Sequence, residues 1–242
     1  MKGKGMDDFQ GKRVLVMGGS AGIGLATAVL ASERGAQVTI VSRSPDRLAQ
    51  ARRAHPAIAQ GHSVDLTDAL AVQEFFTANG DWDHVVVSGS QTHSDTVRGM
   101  ALDDARAAMQ SKFWGAYHVA RACRIRAPGS LTLVSGVFSV RPSRHAVLQG
   151  AINAALEGLM RGLALELAPV RVNAVSPSVT DTPLWDRLDG DARQSKFESY
   201  AARVPLGRVA RPAEIALAIL SLAGNPYITG STLLVDGGDA LA

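Results

Sequence analysis

The chain has 242 residues, a formal net charge of +3, 46% apolar side chains and a single cysteine, Cys123. Its basic residues are scattered, which gives no case for nucleic acid, and a lone cysteine fits a reducing compartment. No apolar run reaches the ~18 residues needed to span a bilayer, and the first residues lack the apolar core of a signal peptide, so a soluble, cytoplasmic, single-domain protein over 1–242 is expected.

Taken in order, an apolar run over 13–17 reads as a buried strand. It leads into Gly18, Ser20, Ala21, Gly22, Ile23 and Gly24, then into a helical pattern over 23–34 that stops at Gly35. Glycines let a backbone turn tightly and approach a ligand, and a helix N-terminus offers free N–H groups and partial positive charge, a combination that suits a phosphate. The spacing is G-x-x-x-G-x-G rather than G-x-G-x-x-G. Alone, it is a plain glycine-rich turn. Between a strand and a helix it points to a nucleotide.

A second strand over 38–42 ends at Ser42-Arg43-Ser44. A dinucleotide reader needs a group here for the adenosine ribose: a carboxylate suits a 2′-hydroxyl, an arginine a 2′-phosphate. With no carboxylate present, Arg43 and Ser44 make a cradle for a phosphate dianion and favour NADP(H) over NAD(H). The plainer alternative is a solvated loop arginine. Downstream come a helix over 45–54, a strand over 61–64 ending at Asp65 and Leu66, and a helix over 68–77 capped by Thr67 or Asp68. A strand over 84–88 follows, running into Ser88, Gly89 and Ser90. A long helix is predicted over 102–124, a strand over 130–135, a long helix over 146–167 and a strand over 170–175. The segment 177–210 reads as irregular with short helices and contains Trp185, Phe197 and Tyr200. A helix over 213–223 and a strand over 232–235 complete the chain. This alternation predicts an α/β fold: a Rossmann-type, doubly wound parallel sheet of about seven strands with helices on both faces, a three-layer sandwich. Ligands in such folds sit beyond the carboxyl ends of the strands.

These motifs, in this order, resemble the short-chain dehydrogenase/reductase family over nearly the whole chain. Gly18, Gly22 and Gly24 match its glycine turn, with Met17 where the family usually has Thr. Asp65 matches the aspartate that meets adenine. Asn173-Ala174-Val175-Ser176-Pro177 matches the entry to the nicotinamide loop. Val204-Pro205-Leu206-Gly207-Arg208 and Arg211-Pro212-Ala213-Glu214-Ile215 match the stretch after the substrate lid. Ile228-Thr229-Gly230-Ser231 and Val235-Asp236-Gly237-Gly238 match the C-terminal end. The resemblance implies NADP(H) held by the glycine-turn residues, by Ser42, Arg43, Ser44, Asp65, Leu66, Ser88, Gly89, Ser90 and Lys112, and by Pro177, Val179 and Thr182. A small-molecule substrate is expected beneath a lid around 179–210.

The catalytic positions depart from that family. Its site resembles a Tyr-x-x-x-Lys pair on a long helix, a Ser upstream and an Asn on the preceding helix. Ala154-Ala155-Leu156-Glu157-Gly158-Leu159 fixes the register and puts Asn153 at the Lys position and Gln149 at the Tyr position. Gly136 falls at the Ser position, with Ser135 just before it, and Lys112 at the Asn position. Ser178 stands where the family usually has Gly. Gln149 can donate a hydrogen bond but has no proton to give at neutral pH. Lysine and asparagine are exchanged between two helices, so a cation and an amide both remain. The catalytic candidates are therefore Lys112, Ser135, Gln149 and Asn153. Lys112 is a ribose ligand, a water holder or an acid of lowered pKa, or else a lysine snorkelling out of its helix.

His93, Gly136, His145 and Trp185 are candidates for the substrate pocket. His145 shares a helix face with Gln149 if the helix reaches that far, and an exposed loop histidine is the alternative. No clustered metal set is present. The helix over 146–167 carries Gly150, Ala151, Ala154, Ala155, Gly158 and Gly162, and the resemblance implies helix pairing into a dimer or tetramer; an Ala-rich core helix of a monomer is the alternative. Two functions follow: an NADP(H)-dependent oxidoreductase acting on a carbonyl, hydroxyl or activated double bond through a reorganised site, or a non-redox NADP-binding regulator, scaffold subunit, lyase or isomerase.

Overall fold

The computed structural model describes residues 9–92 and 94–242; His93, one of the expected pocket residues, lies outside the described residues. Seven parallel strands make one sheet: β1 (Arg13–Met17), β2 (Gln37–Ser42), β3 (Gln60–Ser63), β4 (Trp82–Val87), β5 (Ile125–Val134), β6 (Arg171–Pro177) and β7 (Thr232–Val235). Their order is β3-β2-β1-β4-β5-β6-β7. The order reverses between β1 and β4, which opens a crevice at the carboxyl ends of those two strands. The helices are α1 (Gly22–Glu33), α2 (Pro45–Ala54), α3 (Ala69–Asn79), α4 (Leu102–Met109), α5 (Gly115–Ala122), α6 (Val147–Glu166), α7 (Gly190–Ala201) and α8 (Pro212–Gly224).

Successive residues of a strand point to opposite faces, so a strand buried on both sides must be apolar throughout. Along β1, Leu15 and Met17 join one core with Phe75, Val119, Leu156 and Met160. Val14 and Val16 join the other with Ala28, Leu48, Ile215 and Ile219. Helices α3, α5 and α6 therefore cover one face, and α1, α2 and α8 cover the other.

Three local features differ from the sequence expectation or sharpen it. The long helix predicted over 102–124 is interrupted: Gln110–Trp114 forms a π-helical turn between α4 and α5. Apolar periodicity does not register the extra residue of a π-turn, a feature often found at functional sites. Strand β5 begins earlier than predicted, because Ile125 pairs with Trp82 across an irregularity in register. Asp68, not Thr67, caps α3, its carboxylate accepting from the N–H groups of Leu70 and Ala71 at 2.9 and 3.0 Å. The segment around 179–210 holds a 3₁₀ turn at Pro183–Trp185 and the helix α7, whose cap Asp189 accepts from Ala192 N–H at 2.7 Å. No helix among the described residues is long and apolar enough to cross a membrane.

Arg171, buried at the start of β6, closes α8. Its guanidinium donates to the carbonyls of Leu222 at 2.7 Å, of Ile228 at 3.2 Å, and of Ala223. The Leu222 and Ala223 carbonyls are acceptors that the end of α8 leaves without intrahelical partners, and Ile228 lies beyond that end. Arg171→Met strands them in an apolar setting and should cost ~2–4 kcal/mol. The check is urea unfolding, with a lower midpoint and an unchanged slope.

Candidate active site

The carboxyl ends of the parallel strands gather the expected cofactor residues along one edge. The backbone at Gly18 has φ +84°, and a Cβ there would lie 2.3 Å from the Gly89 nitrogen, so the turn after β1 and the loop after β4 touch backbone to backbone. A Cβ on Gly24 would lie 2.2 Å from the Gly18 carbonyl oxygen. Both positions require glycine for space. Ala21 precedes α1 and no side chain caps that helix, which leaves its first N–H groups facing the crevice. Thr182, from the loop after β6, sits over Gly22, within 3.3 Å of where a Cβ would be. Glycine turn, open helix end and covering loop together form a cradle that fits a dinucleotide pyrophosphate.

At the end of β2, Ser20 Oγ donates to Ser42 Oγ at 2.8 Å and ties the glycine turn to that strand. Arg43 is exposed, and Ser44 caps α2 by accepting from Arg47 N–H at 3.3 Å. Asp65 accepts from both the N–H and the hydroxyl of Thr67, each at 2.9 Å, which orients its carboxylate. Leu66 is buried against Gly89 and Gly115. Ser88 and Gly89 donate through their backbone N–H groups to Met17, and Ser90 is exposed. Pro177 ends β6 opposite Val235.

The π-turn carries Lys112 to the end of β5. Its ammonium donates to the Ser135 carbonyl at 2.8 Å and to Asn153 Oδ1 at 2.7 Å. The other end of the Asn153 amide donates to the Gly136 carbonyl at 3.0 Å. A Cβ on Gly136 would fall 2.7 Å from Asn153 Nδ2, so the amide fills the space that a side chain at 136 would need. Three of the positions expected to depart from the resembling family thus form one packed unit: lysine on the kinked helix, asparagine on α6, and no side chain at 136. Burial is the largest influence on Lys112 and pulls its pKa down to about 8 against the raising effect of the Glu157 charge. An amine so tuned exchanges protons near neutrality.

Other expected residues are directed elsewhere. Ser135 was expected to meet substrate, yet its buried hydroxyl donates to Glu157 Oε1 at 2.7 Å, because the peptide at 135–136 is turned so that its carbonyls meet Lys112 and Asn153. Gln149 stands one turn before Asn153 on α6, where its amide donates to Thr92 Oγ1 at 2.9 Å and accepts from Ser94 Oγ at 3.0 Å. His145 does not share that helix face: α6 begins at Val147, and His145 lies exposed in the preceding turn. Trp185 donates to the Thr180 carbonyl at 2.9 Å and meets Phe197 edge-on at 5.8 Å, bracing the segment after β6 against itself. No group of three or more His, Cys, Asp or Glu that could hold a metal occurs among the described residues.

Sequence reasoning missed Glu157, Ser139, Thr92 and Ser94. Glu157 accepts from Ser139 Oγ at 2.6 Å as well as from Ser135. Its signal was available: Glu157 lies four residues after Asn153, on the same face of α6. The packed unit gives a direct test. Gly136→Ser should destabilise the protein by ~1–3 kcal/mol through overpacking. Asn153→Ala should relieve much of that cost in the double variant, which thermal or urea unfolding of the four-member cycle reads directly.

The family profile described as enoyl-(acyl carrier protein) reductase matches residues 18–239. Glucose 1-dehydrogenase from Gluconobacter oxydans is 33% identical, over 96% of this chain and 93% of that one. A small-chain dehydrogenase solved in complex with NADPH superposes with a TM-score of 0.83 at 32% identity, covering 96% of this chain and 100% of the other. An apo short-chain oxidoreductase from Pseudomonas aeruginosa, described as containing an atypical catalytic center, gives a TM-score of 0.87 at 32% identity over 96% of this chain and 98% of that one. With profile, sequence and architecture in agreement over nearly its full length, the chain belongs to the short-chain dehydrogenase/reductase family.

Proposed function

We propose that the protein is an NADP(H)-dependent oxidoreductase that acts on a carbonyl, a hydroxyl or an activated double bond of a small molecule through a reorganised site. The observation that carries this is the Lys112–Asn153 contact at 2.7 Å, a cation and an amide held at the end of β5 without a tyrosine. The cradle of Gly18, Gly22 and Gly24 binds the pyrophosphate, and Arg43 with Ser44 meets the 2′-phosphate. The NADPH complex of a similar dehydrogenase supports the same cofactor here, and the relative with an atypical catalytic center supports a departure from the usual residues.

When bound, NADPH supplies a hydride. The protein then has to supply a proton to the substrate oxygen. An ammonium has three hydrogens, and Lys112 directs two of them at Ser135 and Asn153. The third remains for the substrate oxygen or for a water between them. Lys112 Nζ would hand that proton to the substrate oxygen in reduction and would take it back in oxidation. Gln149, held by Thr92 and Ser94, orients and polarises the substrate but transfers no proton.

One domain over 1–242, a lid around 179–210 and a cytoplasmic location belong to the same proposal. Burial pushes the free Cys123 thiol up to about 12, so it is inert rather than redox-active. A homodimer or homotetramer is supported by Trp114 and Tyr117, large apolar side chains that remain exposed and pack edge-on at 5.5 Å beside each other. The second reading, a non-redox NADP-binding protein, is favoured by one observation: both ends of the Gln149 amide are already engaged by the loop after β4.

Equilibrium titration should give NADPH binding at least ~10-fold tighter than NADH binding, and Arg43→Asp should abolish that preference. With a panel of ketones, quinones and enones followed by NADPH absorbance, Lys112→Met should lower turnover by ~10²–10⁴. The acid form of Lys112 is the donor, so wild-type reduction is full at low pH and falls as pH rises through about 8. That limb should vanish in Lys112→Met. Tight NADPH binding with no turnover on any of the panel favours the non-redox reading.

A further inference from the structure

Asp239 lies outside the site described above, yet it is wholly buried, in the 3₁₀ turn Asp239–Leu241 that follows β7. Three segments converge on its carboxylate. Arg203 Nε donates to Oδ1 at 3.0 Å, Arg141 Nε is ion-paired with Oδ1 at 3.1 Å, and Ser178 Oγ donates to Oδ2. The turn that presents it is itself fixed, with Asp236 accepting from the N–H groups of Gly238 at 3.0 Å and Ala240 at 2.9 Å. A carboxylate removed from water is retained only where it is paired and hydrogen-bonded.

Each donor comes from a different segment of the chain. Arg141 follows the 3₁₀ turn Val137–Ser139, whose Ser139 bonds Glu157 behind Lys112. Ser178 opens the loop that carries Val179 and Thr182, and it stands where the resembling family usually has glycine, so this chain supplies a side chain to make the link. Arg203 follows α7, and its guanidinium stacks on Tyr200 at 4.3 Å. Tyr200, Ser178, Val179 and Val204 line a cavity of about 170 Å³ together with Val235 and Gly237 at the end of β7; Lys112, Gln149 and Asn153 are not part of its lining.

We propose that Asp239 is a positioning residue of the substrate pocket: from the C-terminal turn it fixes the lid helix, the loop after β6 and the turn after β5 against one another. The lid's service to a substrate rests on the oxidoreductase proposal; the mechanical link does not, and separate measurements read the two.

Hydrogen exchange of the full chain tests the link. Asp239→Asn keeps the side-chain shape and removes the charge. Exchange over 137–141, 178–182 and 198–204 should rise together by roughly tenfold or more, with β1 and β4 amides at wild-type rates. Arg203→Met should loosen 198–204 alone, and Ser178→Gly should loosen 178–182 alone; these two decide the matter if Asp239→Asn does not fold. Unchanged exchange overturns the proposal, and so does an even rise across the sheet, which is global destabilisation. With a turned-over substrate, Arg203→Met should raise KM roughly tenfold while kcat stays within about twofold. An unchanged KM overturns the substrate role. Absence of turnover in the wild type refutes the oxidoreductase proposal and leaves the exchange result standing.

Discussion

An ammonium group taken out of water must be hydrogen-bonded, neutralised or both, and the site of this protein is built around meeting that demand for Lys112. The π-turn Gln110–Trp114 brings the side chain to the end of β5. There it finds one carbonyl from Ser135 and one from the Asn153 amide. That amide must itself be held, and it donates to Gly136. The contact is close enough that position 136 cannot carry a Cβ without displacing the amide. Behind this layer, Glu157 receives the hydroxyls of Ser135 and Ser139 and supports the peptide that both Lys112 and Asn153 grip. Changing any one of these residues leaves a neighbour without its partner.

The cofactor side depends on a different and more generic constraint. Parallel strands deliver all their carboxyl ends to one edge, and the reversal between β1 and β4 opens a crevice there. The main requirement in that crevice is room for backbone. Gly18 and Gly24 provide it, and Thr182 covers the turn from the loop after β6. Such a cradle tolerates wide change in the residues that perform chemistry, because it shares few side chains with them. The frame that holds the dinucleotide and the unit around Lys112 are in this sense separate constructions on one sheet edge.

The fold was legible because its signals are local and repeated. Apolar runs alternating with helical patterns specify strands buried on both faces, and Asp68 before an apolar helix is a recognisable cap. The glycine turn was legible for the same reason. That Lys112 and Asn153 share a site was an expectation drawn from the register set by Ala154 to Leu159, and the structure adds their contact at 2.7 Å. What could not be seen was direction. Sequence spacing places Ser135 at the pocket but does not say that its hydroxyl turns to Glu157, because that depends on which carbonyls the peptide must offer Lys112. Likewise His145 falls one turn before Gln149 only if α6 starts early, and the helix starts at Val147 instead. The π-turn is a matter of hydrogen-bond pattern rather than composition, so the pattern over 102–124 reads as one uninterrupted helix. The links made by Asp239 join residues 36 to 98 positions apart and leave no periodic trace.

The central claim is that Lys112 and Asn153 act as an exchanged pair, one cation and one amide supplied from swapped helices. Its most direct test is the stability and NADPH affinity of Lys112→Asn, Asn153→Lys and the double swap. Lys112→Asn alone removes the cation, and Asn153→Lys alone sets two ammonium groups side by side. The double swap should recover most of both losses, with a coupling energy of at least ~1.5 kcal/mol. Losses that simply add in the double variant would mean that the two positions do not form a pair.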